Sequence, residues 1–82
     1  MKISIIIPCY NEVNYVEEIV DRIHKKNPYE NEIIVIDDDS KDGTREILNK
    51  MEGHKISKLI KNDKNYGKGY CIRQGIKFAS GE

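Results

Sequence analysis

The sequence predicts an α/β fold built on a three-stranded parallel sheet with strand order 3-2-1. Two observations carry that prediction. Short apolar runs alternate with amphipathic stretches in the order β-α-β-α-β-α. Two of the runs, Ile3 to Ile7 and Ile33 to Ile36, are wholly or almost wholly apolar and mostly β-branched, the pattern of strands covered on both faces. Such alternation gives right-handed crossovers and half of a doubly wound, Rossmann-like domain. Strand 2 then lies between strands 1 and 3, and a further strand is expected beside strand 1.

Each element has its own local signals. Strand 1 runs from Ile3 to Ile7 and stops at Pro8. Asn14 is the expected cap of the first helix, with Glu17 completing a capping box. Val13, Val16, Ile19, Val20 and Ile23 fall on one helical face, and Asn27-Pro28 ends the helix. Strand 2 is Ile33 to Ile36. Asp42 is the expected cap of a second helix carrying Ile47, Leu48 and Met51 and ending at Gly53. Ile56 to Ile60 is the third strand, and Asn62 to Tyr66 form a polar loop. From Gly67 a third helix carries Ile72, Gly75, Ile76 and Ala79 at i, i+3, i+4 and i+7.

Composition narrows the partners. The 82 residues suffice for one small domain, which at this size buries only roughly 60–65% of its unfolded surface. The 14 basic and 14 acidic residues cancel, so nothing in the charge predicts nucleic-acid binding. Cys9 and Cys71 are too few for a disulfide framework and suit a reducing, cytoplasmic setting as inert thiols. His24 and His54 have no metal-ligand spacing. No apolar segment approaches a signal peptide or a membrane span. Gly81-Glu82 follow a helical segment with no closing element, which predicts a fragment cut before another strand.

Three segments carry chemistry, and the fold gathers them where open α/β sheets bind ligands, outside the carboxyl ends of the strands. The first is Pro8-Cys9-Tyr10-Asn11-Glu12, with an aromatic surface, an amide and a carboxylate. The second is Asp37-Asp38-Asp39 at the end of strand 2. Adjacent acids repel, so a fold that keeps three together uses them on hydrogen-bond donors or on a metal. Asp37 and Asp39 have the D-x-D spacing that places two carboxylates on one side of a strand, where they can share a divalent cation. The third is Asn65-Tyr66-Gly67-Lys68-Gly69 with Arg73, which offers a helix N-terminus and two full charges to an anion. It matches neither G-x-x-x-x-G-K-[ST] nor G-x-G-x-x-G, because Ile72 stands at the last glycine position. Each segment also has a plain structural reading, as a polar turn, a helix cap or solvated charge.

Together the segments resemble the N-terminal nucleotide-binding half of a family 2 glycosyltransferase with the GT-A fold. The matching runs are Ile5 to Glu12, Val35 to Thr44, and Asn65 to Gly69 with Arg73, Gly75, Ala79 and Gly81. Gly67-Lys68-Gly69 with Arg73 looks most like the dolichol-phosphate or polyprenyl-phosphate sugar transferase branch. The resemblance implies a GDP- or UDP-sugar donor and an acceptor such as a polyprenyl phosphate. It assigns Pro8, Tyr10 and Glu12 to the base and ribose pocket, Asp37 and Asp38 to the base edge, and Lys68 and Arg73 to the diphosphate side; Asn11, Asp39 and Gly67 complete the set of candidate binding residues. Asp39 stands where the family usually has glycine, so the local turn is expected to differ. The family holds Mg²⁺ or Mn²⁺ through an Asp-x-Asp motif on the next strand, with the acceptor site further on.

Residues 1–82 are therefore expected to be one truncated nucleotide-sugar-binding domain. It has no catalytic residue of its own, binds no metal stably and does not turn over alone. The parent is expected in the cytoplasm or on the cytoplasmic face of a membrane. Ile3 to Ile7 is expected to be an exposed apolar edge that promotes self-association. Two other functions compete. One is a non-catalytic nucleotide-binding module. The other is a receiver-like acidic-pocket domain, which gives Pro8 to Glu12 and Gly67 to Gly69 no purpose.

Overall fold

The computed structural model describes residues 2–26, 30–53 and 55–80. Their order is β1 (Lys2–Cys9), α1 (Val16–Lys26), β2 (Glu30–Asp37), α2 (Thr44–Met51), β3 (Lys58–Lys61) and α3 (Lys68–Phe78). The strands form one parallel sheet in the order β1-β2-β3, the predicted adjacency. Cys9 is in register with Asp37, and Asp37 with Lys61. All three strands thus end in one row, and the loops that follow them open on a common rim.

Alternation along β2 builds two cores. Ile33 and Val35 pack with Val16 and Val20 of α1 and with Leu48 and Met51 of α2. Ile34 and Ile36 face the other way and pack with Cys71 of α3. All four β2 side chains are 0–1% exposed. Burying each contributes about 1.5–3 kcal/mol, a large share of a small domain's stability. On the α3 side, a Cβ added at Gly75 would lie 2.5 Å from Ile6 Cγ2 and 3.1 Å from Ile36 Cδ1. The absence of a side chain at Gly75 is what lets α3 approach the sheet.

The elements differ from the sequence expectations at their edges. β1 continues through Pro8 to Cys9; an edge strand tolerates proline because one side of its backbone needs no ladder donor. α1 begins at Val16 rather than after Asn14, because the Tyr15 and Val16 N–H groups turn back to the Glu12 carbonyl at 3.0 and 2.8 Å. Ile19 is 38% exposed and leaves the apolar face. α2 begins at Thr44 with Gly43 (φ 102°) before it. Asp42 stands one residue further back, yet accepts the Thr44 N–H at 3.1 Å. β3 is shifted to Lys58–Lys61. α3 buries Cys71 and Gly75, whereas Ile72 and Ile76 are 38% and 60% exposed. The close approach at Gly75 fixes that rotation and turns the large residues outward. Asn27, Pro28, His54, Gly81 and Glu82 lie outside the described residues. Among the described residues no helix is long and apolar enough to cross a membrane.

Candidate functional site

The rim holds a cleft of about 330 Å³. Pro8 lines it from the end of β1, Tyr10 and Glu12 from the loop that follows, and Asp38 from the loop after β2. Asn65, Gly67 and Lys68 line it from the approach to α3, together with Cys9 and Cys71. Tyr10 is 46% exposed and offers its ring to solvent.

The first two loops are stitched together by side chains that accept backbone donors. Asn11, at φ 52°, donates its N–H to Ser40 Oγ at 2.9 Å, and its Oδ1 accepts the Lys41 N–H at 2.9 Å. The Glu12 N–H donates to Thr44 Oγ1 at 2.9 Å, and the Val13 N–H to Asp42 Oδ2 at 3.2 Å. The Thr44 hydroxyl in turn donates to Asp42 Oδ1 at 2.5 Å. Asn11 thus serves the latch, and Glu12 is left with its carboxylate at the cleft.

The three acids have three different environments. Asp37 is fully buried, and Arg45 Nε donates to its Oδ2 at 2.5 Å. It does not line the cleft. Arg45 Nη2 also donates to the Asn62 carbonyl at 2.7 Å. Asp38 is 4% exposed and lines the cleft. Its Oδ1 accepts from the Tyr66 N–H at 2.9 Å and from Asn62 Nδ2 at 3.0 Å, and its Oδ2 from the Gly67 N–H at 2.9 Å. Burial alone would raise the Asp38 carboxyl, but these donors outweigh it and hold the group below the usual carboxylate range. Asp39 keeps a left-handed backbone (φ 64°), the conformation that glycine favours, and its Oδ1 lies 3.0 Å from Lys41 Nζ.

The strand rule behind a shared Asp37–Asp39 ion does not apply here. β2 ends at Asp37, Asp39 has turned into the left-handed region, and each acid already has a cation beside it. Among the described residues, no three His, Cys, Asp or Glu side chains are grouped to hold a metal. The divalent ion that the family resemblance implies therefore finds no fitting ligand set in this part of the chain.

At the third loop, Gly67 takes φ 96° and α3 starts at Lys68. The Gly67 carbonyl accepts the Cys71 N–H at 3.2 Å. Lys68 lines the cleft. Arg73 is exposed one turn on, with Nη1 3.6 Å from where a Cβ on Gly69 would be. Tyr66 stacks on Tyr70 with ring centroids 4.4 Å apart. Burial, followed by the charges of Asp37 and Glu12, pushes the Cys9 thiol up to about 12. Burial, then Asp38, pushes Cys71 to about 11. Both are closed to nucleophilic chemistry.

Of the ten candidate binding residues, Pro8, Tyr10, Glu12, Asp38, Gly67 and Lys68 line one cleft. Asn11, Asp37 and Asp39 lie next to it in the chain as scaffolding, and Arg73 stands on the outer face of α3. Sequence reasoning missed Arg45, Thr44, Asn62 and Gln74. Arg45 follows Asp37 by eight residues, a spacing with no local periodicity, so only the fold brings the pair together.

Comparison with known proteins gives concordant results. A family profile described as Glycosyl transferase family 2 matches residues 4–82. The chain is similar to a dolichol-phosphate mannosyltransferase of Pyrococcus furiosus, 40% identical over 83 residues, covering 100% of this chain and 24% of that protein. Among solved structures it resembles the mannosyltransferase PcManGT from Pyrobaculum calidifontis in complex with GDP-Man and Mn²⁺, with a TM-score of 0.85 and 28% identity over 98% of this chain and 25% of that one. It also resembles S. aureus TarS 1-349 in complex with UDP, with a TM-score of 0.84 and 31% identity over 100% of this chain and 25% of that one. The chain spans about a quarter of the length of these relatives.

Proposed function

This chain belongs to glycosyl transferase family 2, and from that premise we propose that its rim cleft is the nucleotide side of a donor site for a sugar nucleotide. One observation carries the reading: Glu12, Asp38 and Lys68, each from a different loop, line the same cleft. A nucleoside diphosphate asks for this set. Tyr10 and Pro8 give the base an aromatic and apolar wall. Asp38 and Glu12 accept from base N–H groups and ribose hydroxyls. Lys68 and the first-turn N–H groups of α3 meet the diphosphate. Asp37 acts from below, through Arg45 and the Asn62 carbonyl, rather than on the base itself.

In the whole protein this site serves a glycosyltransferase that moves a sugar from a GDP- or UDP-sugar to an acceptor. The likeness to a dolichol-phosphate mannosyltransferase favours a polyprenyl phosphate acceptor and work at the cytoplasmic face of a membrane. These residues are assigned donor binding, not turnover, as a domain of that larger enzyme. Mg²⁺ or Mn²⁺ for the leaving diphosphate would take its ligands from elsewhere in the protein. The edge of β1, beside which no other strand lies among the described residues, supports pairing with a second copy when these residues are alone; light scattering at rising concentration tests it.

The functional test is sugar transfer by the protein that contains this domain, assayed with GDP- and UDP-sugars. Glu12→Gln and Lys68→Ala are expected to weaken donor use at least tenfold, about 1.4 kcal/mol each. Wild-type donor use in both would refute the site. A non-catalytic nucleotide-binding module predicts binding by the same residues with no transfer to any acceptor.

A further inference from the structure

Asn62 is a polar side chain, 5% exposed, just after β3. It does not line the cleft, and the donor reading gives its side chain no role. Its polar groups are nevertheless fully engaged. Nδ2 donates to Asp38 Oδ1 at 3.0 Å and to Gln74 Oε1 at 2.9 Å, and Oδ1 accepts from Gln74 Nε2 at 2.9 Å. The Asn62 N–H donates to the Asp37 carbonyl at 2.9 Å, and its own carbonyl accepts from Arg45 Nη2 at 2.7 Å. Buried polar groups are costly unless satisfied, and this residue satisfies its own by joining β2, α2 and α3.

We infer that Asn62 and Gln74 are positioning residues for the donor cleft: their paired amides fix the Asp38 carboxylate and, through it, the loop that delivers Gly67 and Lys68. The inference rests on the donor reading for its functional consequence. Asp38 has four donors. Two of them, the Tyr66 and Gly67 N–H groups, belong to the loop being placed, so they move with it. The Cys71 thiol comes from the buried face of α3, and Asn62 ties the carboxylate to the end of β3, a point held by the sheet. Gln74 extends that tie to the second turn of α3, so both ends of the 62–68 segment are held to one side chain. Without the amide pair, the Asp38 N–H stays on the Cys9 carbonyl at 2.9 Å and its carboxylate keeps the Tyr66 and Gly67 N–H groups, but the carboxylate and the loop it holds lose their tie to the end of β3.

A reciprocal amide pair has a length requirement that simple packing lacks. Exchanging the two residues, Asn62→Gln with Gln74→Asn, keeps the number of atoms and the donor-acceptor pairing. Gln74 is half-buried on α3, so Gln74→Ala retains the fold even if Asn62→Ala does not, and carries the test alone.

Two readouts decide the matter. Amide hydrogen exchange by NMR needs no ligand. In Gln74→Ala, Tyr66 and Gly67 are expected to lose protection about three- to tenfold, the worth of a neutral amide hydrogen bond such as those Gln74 makes to Asn62, while Val35 and Ile36 keep theirs. The exchanged pair is expected to restore Tyr66 and Gly67. Unchanged protection at those two amides, or equal loss throughout β2, overturns the inference. Calorimetric titration with UDP and GDP then reads function: Gln74→Ala should bind about tenfold more weakly than wild type, and the exchanged pair within about threefold of it. If Gln74→Ala binds as tightly as wild type, the positioning role is refuted. If the wild-type protein binds neither nucleotide, the donor reading fails instead, and the exchange result still settles whether the amide pair places the loop.

Discussion

The Gly67 N–H donates to Asp38 Oδ2 at 2.9 Å, so the residue that opens α3 is held by the tip of β2. The Tyr66 N–H, the Asn62 side chain and the Cys71 thiol are the same carboxylate's other partners. An acid that the sequence marks only as one of three is thus the point where two of the cleft's loops meet. Asp38→Asn keeps the shape but turns one acceptor into a donor facing N–H groups. It is expected to lower stability by about 1–3 kcal/mol, measured by urea unfolding at pH 7.

The same contact makes a pH prediction. Hydrogen bonds depress the folded-state value of Asp38 below that of the unfolded chain, about 3.9. Its contribution is therefore fully present above that pH and is lost as pH falls through the depressed folded value. The Asp42 carboxyl is depressed too, chiefly by the Thr44 hydroxyl, so the wild-type acid transition reflects both groups. The difference between wild type and Asp38→Asn isolates Asp38. That difference should hold steady from pH 7 to about 5 and shrink below about 4.

Arg45 and Asp37 form a buried-to-surface pair, with Asp37 fully buried and the Arg45 side chain 29% exposed. Arg45→Ala strands a carboxylate in the core and should cost about 3–5 kcal/mol. Arg45→Lys should recover only part, because a single ammonium cannot serve both the carboxylate and the Asn62 carbonyl in the fork geometry that Arg45 uses. Thermal unfolding of the two variants gives the ranking.

Gly75→Ala pushes a methyl against Ile6 Cγ2, where the separation would be 2.5 Å. Overpacking of that kind should cost about 1–3 kcal/mol. Ile6→Ala removes Cγ2, so the double variant should lose less stability than the sum of the two single losses. Strict additivity of the two melting shifts would show that α3 does not bear on Ile6 in the way described.

The two thiols are expected to be silent. With Cys9 near 12 and Cys71 near 11, fewer than about one thiol in a thousand is thiolate at pH 8. Ellman's reagent should label the folded protein far more slowly than the urea-unfolded chain. Fast labelling of the folded protein would contradict the burial of both side chains.

The sheet was legible because strand 2 is four apolar residues ending in acids, a pattern that only a central strand accommodates. The rim was legible for the same reason: parallel strands send their loops to one side. Helix boundaries are less legible where turns are closed by partners outside the cap position. The Glu12 carbonyl, rather than Asn14, closes the turn into α1, and Asp42 acts from before the cap position of α2. On α3 the apolar spacing selects Gly75 and Ala79, which pack inward, together with Ile72 and Ile76, which the close approach to Ile6 turns outward in favour of Cys71. Within the site, residue type located the acids but not their separate environments. Contacts that only the fold brings about distinguish Asp37 under Arg45 from Asp38 in the cleft wall, whereas Asp39 sits in its own left-handed turn beside Lys41.

The central claim is that three loops form one nucleoside diphosphate site, and NMR mapping of amide shifts during titration with UDP and GDP tests it most directly. Tyr10, Glu12, Asp38, Gly67 and Lys68 should shift together along one saturation curve, while residues on the far side of α1 stay still. Shifts confined to a single loop, separate saturation for each loop, or none with either nucleotide would contradict it.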